Sequence, residues 1–133
     1  MSNKSKKIVS EISAGELLDK ISILEIKLEK IKDKNNQEKI KIEYKILKKI
    51  QNSFIEMSDK IKDLYRSVSD VNIKLWDIED KIRICEQNKD FGKNFINLAR
   101  EVYFNNDKRS KIKSEINKRL GSNIREVKQY VNY

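Results

Sequence analysis

The sequence predicts an all-α protein: an antiparallel helical bundle or coiled coil of three to four long helices, followed by a short C-terminal tail. The 133-residue chain has no Pro and only three Gly, so it lacks most of the residues that form tight turns. Over long stretches its apolar residues recur at alternating intervals of three and four, the spacing of an amphipathic helix. Short connections place such helices antiparallel to their neighbours in sequence. At this length we expect one domain.

The first helix is predicted to follow a basic leader, residues 1–12, that we expect to be disordered. Ser13 and Glu16 have the spacing of a capping box, in which the serine accepts from the Glu16 amide and the glutamate reaches back. The apolar positions that follow, in steps of four and three, are Leu17, Ile21, Leu24, Leu28 and Ile31. The helix should end near Asp33. The helical domain as a whole is predicted to span residues 13–121.

A second helix is predicted from about Gln37, and the sequence leaves its end open. Ser53 and Glu56 form another capping-box match, which favours a break and the start of a new helix. The apolar spacing is also compatible with one helix that continues through Phe54. We favour the break, which gives four helices instead of three with one very long.

The third helix carries a regular heptad of apolar residues, and a turn separates it from the fourth. The heptad positions are Ile61, Leu64, Val68, Val71, Leu75, Ile78, Ile82 and Cys85. The fourth helix is predicted to begin around Asp90 and to end before Gly121, because glycine suits the left-handed residue that terminates many helices. Residues 122–133 form the tail, either as a docked helical turn or as an extended arm.

The composition restricts the chemistry that the chain can perform. It has no His, and its carboxylates show no regular ligand spacing, so we predict no metal site and no cofactor. The single Cys85 cannot form an internal disulfide and suits a reducing compartment. No uncharged run exceeds six residues, and the leader lacks the apolar core of a secretory signal. We therefore predict a cytoplasmic protein without a membrane span.

A polar stripe on the third helix is the best candidate for a functional site. It runs beside the apolar seam in steps of four and three and comprises Asn72, Trp76, Glu79, Arg83 and Glu86. A turn centred near residues 88–91 would place the stripe against the fourth helix. The pairs then expected to face each other are Glu79 with Arg100, Trp76 with Tyr103, and Asn72 with Asp107.

Two interpretations of the stripe remain open. It is either a set of partly buried ion pairs that fix the helix register, or a small pocket for an anionic or polar ligand. Polar residues of the fourth helix either are solvated or complete the cluster. The candidate ligand or partner cluster comprises Trp76, Glu79, Asp80, Arg83, Arg100, Tyr103, Asn106, Asp107 and Arg109. No catalytic residue is assigned.

The net charge of +9 raises the question of a polyanionic partner. The basic run of the fourth helix comprises Lys108, Arg109, Lys111, Lys113, Lys118 and Arg119. No aromatic residue interleaves it for base stacking, and no nucleic-acid-binding motif is present. We favour a solvated helix face over a nucleic-acid surface.

Several motifs together resemble a bacterial domain of unknown function, family 6165. They are SAGELLDKISILEIKLEKI near the start, W-x-I-E-D from Trp76, L-A-R-x-V-Y-x-x-N-D-x-R from Leu98, and E-x-K-x-Y-x-x-Y from Glu126. The resemblance implies a small cytoplasmic protein with no assigned activity, in a family that often accompanies lipopolysaccharide and other surface-glycan genes. Besides the candidate cluster, it draws attention to Glu16, Asp19, Lys20 and Glu25.

Three functions are compatible with these observations. We favour a non-catalytic accessory protein that forms a homodimer or binds a protein partner, with a role in surface-glycan biosynthesis as one option. The first alternative is a small-molecule-binding or enzymatic bundle that uses the charged cluster between helices. The second is a binder of nucleic acid or an anionic surface through the basic C-terminal helix.

Overall fold

The computed structural model describes residues 6–133 and contains four helices. In chain order they are α1 (Ala14–Lys30), α2 (Lys34–Phe54), α3 (Asp59–Gln87) and α4 (Lys93–Leu120). No strand occurs within this part of the chain, so the all-α prediction is confirmed. The predicted leader includes residues 1–5, which lie outside the described residues. None of the helices in residues 6–133 combines the length and apolarity needed to cross a membrane.

The start of α1 follows the prediction in part. The Ser13 side chain caps the helix by accepting a hydrogen bond from the Glu16 amide at 3.2 Å. The Glu16 carboxylate does not complete a capping box; it contacts Lys113 of α4. An ion pair with a partly buried lysine gives this carboxylate a stronger partner than a backbone amide would.

The junction between α1 and α2 lies slightly earlier than expected. Asp33, predicted to end the first helix, is instead the N-cap of α2 and accepts from the Asn36 amide at 3.0 Å. Because an N-cap residue has an extended backbone, α1 must end before it, at Lys30. The second helix therefore begins ahead of Gln37, whose side chain donates to the Ile31 carbonyl.

The predicted break between the second and third helices is confirmed, but the capping residue is wrong. Ser53 lies inside α2 and donates to the Lys49 carbonyl at 2.9 Å. The N-cap of α3 is Ser58, which accepts from the Ile61 amide at 3.3 Å. Between the two helices, Ile55 packs against the apolar core, which anchors the connection after α2 has ended.

The turn between α3 and α4 is longer than expected. Asp90 belongs to the turn, where its side chain accepts from the Gly92 amide at 3.1 Å, and α4 begins only at Lys93. At its other end α4 stops as predicted. Gly121 has a left-handed backbone with φ of 62° and closes the helix.

The helices pack as an antiparallel bundle in which α2 is peripheral. α1, α3 and α4 contact one another, whereas α2 contacts α1 alone among the four helices. The apolar core reflects this arrangement, since Leu18, Ile61 and Ile116 bring together α1, α3 and α4. The site described below is therefore built from three helices.

The N-terminus of α1 lies unusually close to α4. A Cβ atom at Gly15 would be 2.5 Å from the carbonyl oxygen of Lys113, so only glycine fits. The Gly15 amide donates to the Asn117 side chain at 2.6 Å, and the Ala14 amide donates to Ser122 at 2.9 Å. Side chains near the end of α4 thus satisfy the unpaired amides of the first turn of α1.

Candidate functional site

A buried amide side chain lies at the centre of the three-helix core. Asn72 on α3 is 4% exposed and donates through Nδ2 to Asp19 Oδ1 at 2.8 Å and to Ser22 Oγ at 2.7 Å, both on α1. Its Oδ1 accepts from Arg109 Nη1 on α4 at 3.0 Å. Both ends of the amide are hydrogen-bonded, as burial of a polar group requires.

The guanidinium of Arg109 is held in a fixed orientation. Besides Asn72, it contacts Asn106 of its own helix, whose Oδ1 accepts from Nη2 at 2.8 Å. Asn106 and Arg109 are three residues apart and therefore lie on the same face of α4. Two of the five guanidinium N–H donors are engaged in these bonds.

A second polar cluster surrounds Lys113, one turn further along α4. Its Nζ lies 2.6 Å from Glu16, 3.2 Å from Asp19 and 3.7 Å from Glu126 of the tail. Burial tends to lower the pKa of Lys113, but the hydrogen bonds to Glu16 and Asp19 and the charges of both carboxylates together outweigh it and raise the pKa above its usual value. The ammonium group of this α4 residue therefore forms ion pairs with both α1 and the tail.

A groove of about 540 Å³, here called the central groove, opens beside the Asn72 network. Its apolar wall is formed by Ile23, Ile26, Leu75 and Trp76. Its polar lining residues are Asn72, Glu79, Asp80, Arg83, Asn106 and Arg109. The groove combines a flat aromatic surface, two cations and two acids, so it can provide apolar contact and hydrogen bonds to the same small molecule.

A second groove, of about 630 Å³ and here called the tail groove, lies between α4 and the C-terminal tail. It is lined by Tyr103, Asn106, Asp107, Arg109, Lys128, Tyr130, Val131 and Tyr133. Asn106 and Arg109 line both grooves, so the fixed guanidinium stands between them.

Eight of the nine residues of the candidate cluster line one or both grooves. Six line the central groove: Trp76, Glu79, Asp80, Arg83, Asn106 and Arg109. Tyr103 and Asp107 line the tail groove. Arg100 lines neither, because its guanidinium lies over the Phe104 ring, 5.6 Å from the centroid.

The antiparallel pairing of the helices that carry this cluster is confirmed by contacts along their length. Lys74 of α3 forms an ion pair with Glu101 of α4 at 3.7 Å, and Asn94 Nδ2 lies 3.7 Å from Cys85 Sγ. Both contacts lie in the first half of α4, and the Asn72–Arg109 hydrogen bond continues the pairing into its second half. Helices α3 and α4 therefore pack alongside each other in antiparallel orientation, as expected.

The individual side-chain pairs expected across α3 and α4 are different from those found. Asn72 contacts Arg109 in place of Asp107, and Glu79 pairs with Arg83 of its own helix in place of Arg100. The register is close to the one expected, since Cys85 faces Asn94, so the difference lies in which neighbouring side chains make contact.

The residues that sequence patterns alone did not reveal are mainly on α1. Asp19 and Ser22 lie beside the apolar seam of α1, where polar side chains are usually exposed. Both are buried because α1 packs against the three other helices. The family motif had included Asp19 and Glu16 without giving them a role. Lys113 was grouped with the solvated basic run, yet its side chain is only 13% exposed.

Within residues 6–133, no group of three or more Asp, Glu or Cys side chains is suitably placed for a metal ion.

The fold and the two grooves define a small helical bundle with polar grooves beside its helices. Residues 8–133 match a family of unknown function, DUF6165, and the chain belongs to this family. Comparison with curated proteins and with solved structures gave no match.

Proposed function

We propose that the chain is a cytoplasmic binding protein whose central groove holds a small polar ligand with an anionic group. The observation that carries this proposal is the orientation of Arg109, which Asn72 and Asn106 hold in place while it lines the groove. Arginine binds carboxylate or phosphate through two parallel hydrogen bonds. A guanidinium that is already oriented loses little freedom when the ligand arrives.

The rest of the groove is compatible with such a ligand. Trp76 provides an apolar face, and Glu79 and Asp80 provide acceptors for hydroxyl groups. Arg83 adds a second cation at the exposed rim, where its pairing with Glu79 leaves most of the side chain open to solvent. The volume of about 540 Å³ lies within the range of about 300–1,000 Å³ that is usual for small-molecule sites.

The test is isothermal titration calorimetry of the full chain with inorganic phosphate, citrate and glucose 6-phosphate. We expect at least one of these anions to bind, and Arg83→Gln to weaken its binding at least fivefold. Arg83 is exposed, so the substitution should leave the fold intact. The matched control is Arg66→Gln, because Arg66 is an exposed arginine of α3 that pairs within its own helix and lines neither groove.

The proposal fails if no anion binds at millimolar concentration. It also fails if Arg66→Gln weakens binding as much as Arg83→Gln does, because the effect would then reflect overall charge.

A second candidate function, binding of a protein partner, is favoured by the outer face of α2. Ile42 and Ile46 are one turn apart on this helix and are 61% and 57% exposed. The helix contains six Lys and two Glu, so two copies of this face would repel each other and an acidic partner would be attracted. Size-exclusion chromatography with light scattering tests the homodimer, and a monomer that also binds no acidic protein would contradict this candidate.

Two cations of the basic run of α4 are less accessible to a nucleic acid than the sequence suggests, because Lys113 and Arg119 form ion pairs within the chain. The link to surface-glycan biosynthesis stays a prediction from the family resemblance. Gene neighbourhood in the source genome is its most direct test.

A further inference from the structure

We infer that the C-terminal tail, residues 122–133, is the second wall of the ligand site and that the ligand is a sugar phosphate. This inference rests on the proposed function and extends it from the central groove into the tail groove. In this arrangement the phosphate lies at Arg109, which lines both grooves, and also contacts Lys128, while the sugar ring lies against the tyrosines of the tail.

The tail is attached to α4 at two separated points. Near its start, Glu126 lies 3.7 Å from Lys113 Nζ, which is itself held by α1. At its end, the Tyr133 hydroxyl donates to Asp107, and the Tyr133 ring packs edge-on against Tyr103 at a centroid distance of 5.5 Å. The residues between these points bridge the tail groove without forming a helix.

The cations of the tail groove are positioned for a phosphate group. Arg109 is oriented by its two asparagine partners, and Lys128 approaches from the opposite wall, 3.8 Å from Glu126. Among residues 6–133, the only acid that lines this groove is Asp107, whose carboxylate accepts from Tyr133. A doubly charged phosphate therefore meets two cations, while the Asp107 carboxylate is engaged by the Tyr133 hydroxyl.

The aromatic residues explain why a ring is expected in addition to the phosphate. Tyr103, Tyr130 and Tyr133 all line the tail groove, and Tyr130 is 73% exposed. An aromatic side chain with an apolar face and a polar edge can pack against the C–H face of a sugar while its hydroxyl contacts the sugar hydroxyls. Inorganic phosphate would leave these surfaces unused, so its binding should be weaker.

The test is calorimetric titration of the full chain with inorganic phosphate, glucose, glucose 1-phosphate and glucose 6-phosphate. We expect at least one sugar phosphate to bind tenfold or more tightly than both phosphate and glucose. Tyr130→Ala should remove most of this gain and leave the affinity for inorganic phosphate unchanged, whereas Lys128→Gln should weaken both. The matched control is Val127→Ala, an exposed tail residue that does not line the groove.

The outcomes separate the two proposals. Binding of phosphate with no gain for either sugar phosphate, or an equal loss in Val127→Ala, would overturn the role of the tail and leave the anion site standing. Glucose binding as tightly as its phosphates, or no binding of any anion, would overturn both. Tyr130 and Lys128 lie outside the helices, so an unchanged far-ultraviolet circular dichroism spectrum confirms that each variant is folded.

Discussion

The amide of Asn72 joins α1 to α4, since its Nδ2 lies 2.8 Å from Asp19 and its Oδ1 lies 3.0 Å from an Arg109 nitrogen. Asn72→Ala should lower the free energy of unfolding by about 3 kcal/mol, because it leaves a buried carboxylate and a guanidinium short of one partner each. Urea denaturation measures the change. Asn97→Ala, an exposed position of α4, should change the value by less than about 0.5 kcal/mol. A loss below about 1 kcal/mol in Asn72→Ala would mean that the network contributes little.

The close approach of α1 to α4 makes Gly15 sensitive to a single added methyl group. A Cβ there would lie 2.5 Å from a backbone oxygen, which cannot move without shifting α4. We expect Gly15→Ala to destabilise the protein by about 2 kcal/mol. Gly92→Ala is the matched control, since its nearest contact would be 3.4 Å from a side-chain oxygen and its φ of −79° suits any residue. Thermal unfolding should separate the two, and equal midpoints would contradict the packing described.

The two serines near the break between α2 and α3 should respond differently to alanine. Ser58→Ala removes the N-cap of α3 and should cost about 1 kcal/mol. Ser53→Ala removes only a hydrogen bond to the preceding turn within α2 and should change stability by a few tenths of a kcal/mol at most. Chemical denaturation of both variants is the measurement. If Ser53→Ala were the more damaging change, α3 would begin earlier than the structure shows.

The contact between Tyr133 and Asp107 should be visible in a pH titration. The hydrogen bond to the carboxylate raises the pKa of Tyr133 from 10.0 to about 12. Because the pKa is raised in the docked state, the contact should be intact below pH 10 and lost as the pH rises through 12. Asp107→Asn should return the pKa toward 10.0, as measured by NMR of Cζ-labelled tyrosine.

An internal control for this titration is Tyr44 on α2. Burial and the charge of Glu25 raise its pKa, and neither depends on the tail. Its resonance should therefore not respond to Asp107→Asn, whereas Tyr133→Phe identifies the signal of the terminal tyrosine. An unchanged Tyr133 titration in Asp107→Asn would show that the tail is not docked there in solution.

Local signals in the sequence were sufficient for much of the fold. Ser13 and Gly121 mark helix ends correctly because capping depends on residues within one turn. The cap of α3 was misplaced because Ser53 and Ser58 are both suitable residues, and packing of the Ile55 side chain against the core decides between them. Competition between two local options is settled by tertiary contacts.

The candidate site was predicted less completely, for a related reason. Four residues of the polar stripe of α3 line the central groove, because a stripe beside an apolar seam lies at the edge of a helix interface. Lys113 and Asp19 were not paired, because their proximity depends on which helices pack side by side. Periodicity identifies the buried face of each helix but does not identify its partner.

The peripheral position of α2 has a consequence for how the protein opens. A helix that packs against only one neighbour can detach while the other three stay assembled, so its amides should exchange with deuterium through local unfolding. The amides of α4, which packs against both α1 and α3, should exchange more slowly. In native-state exchange, α2 would thus form a separate, less stable cooperative unit.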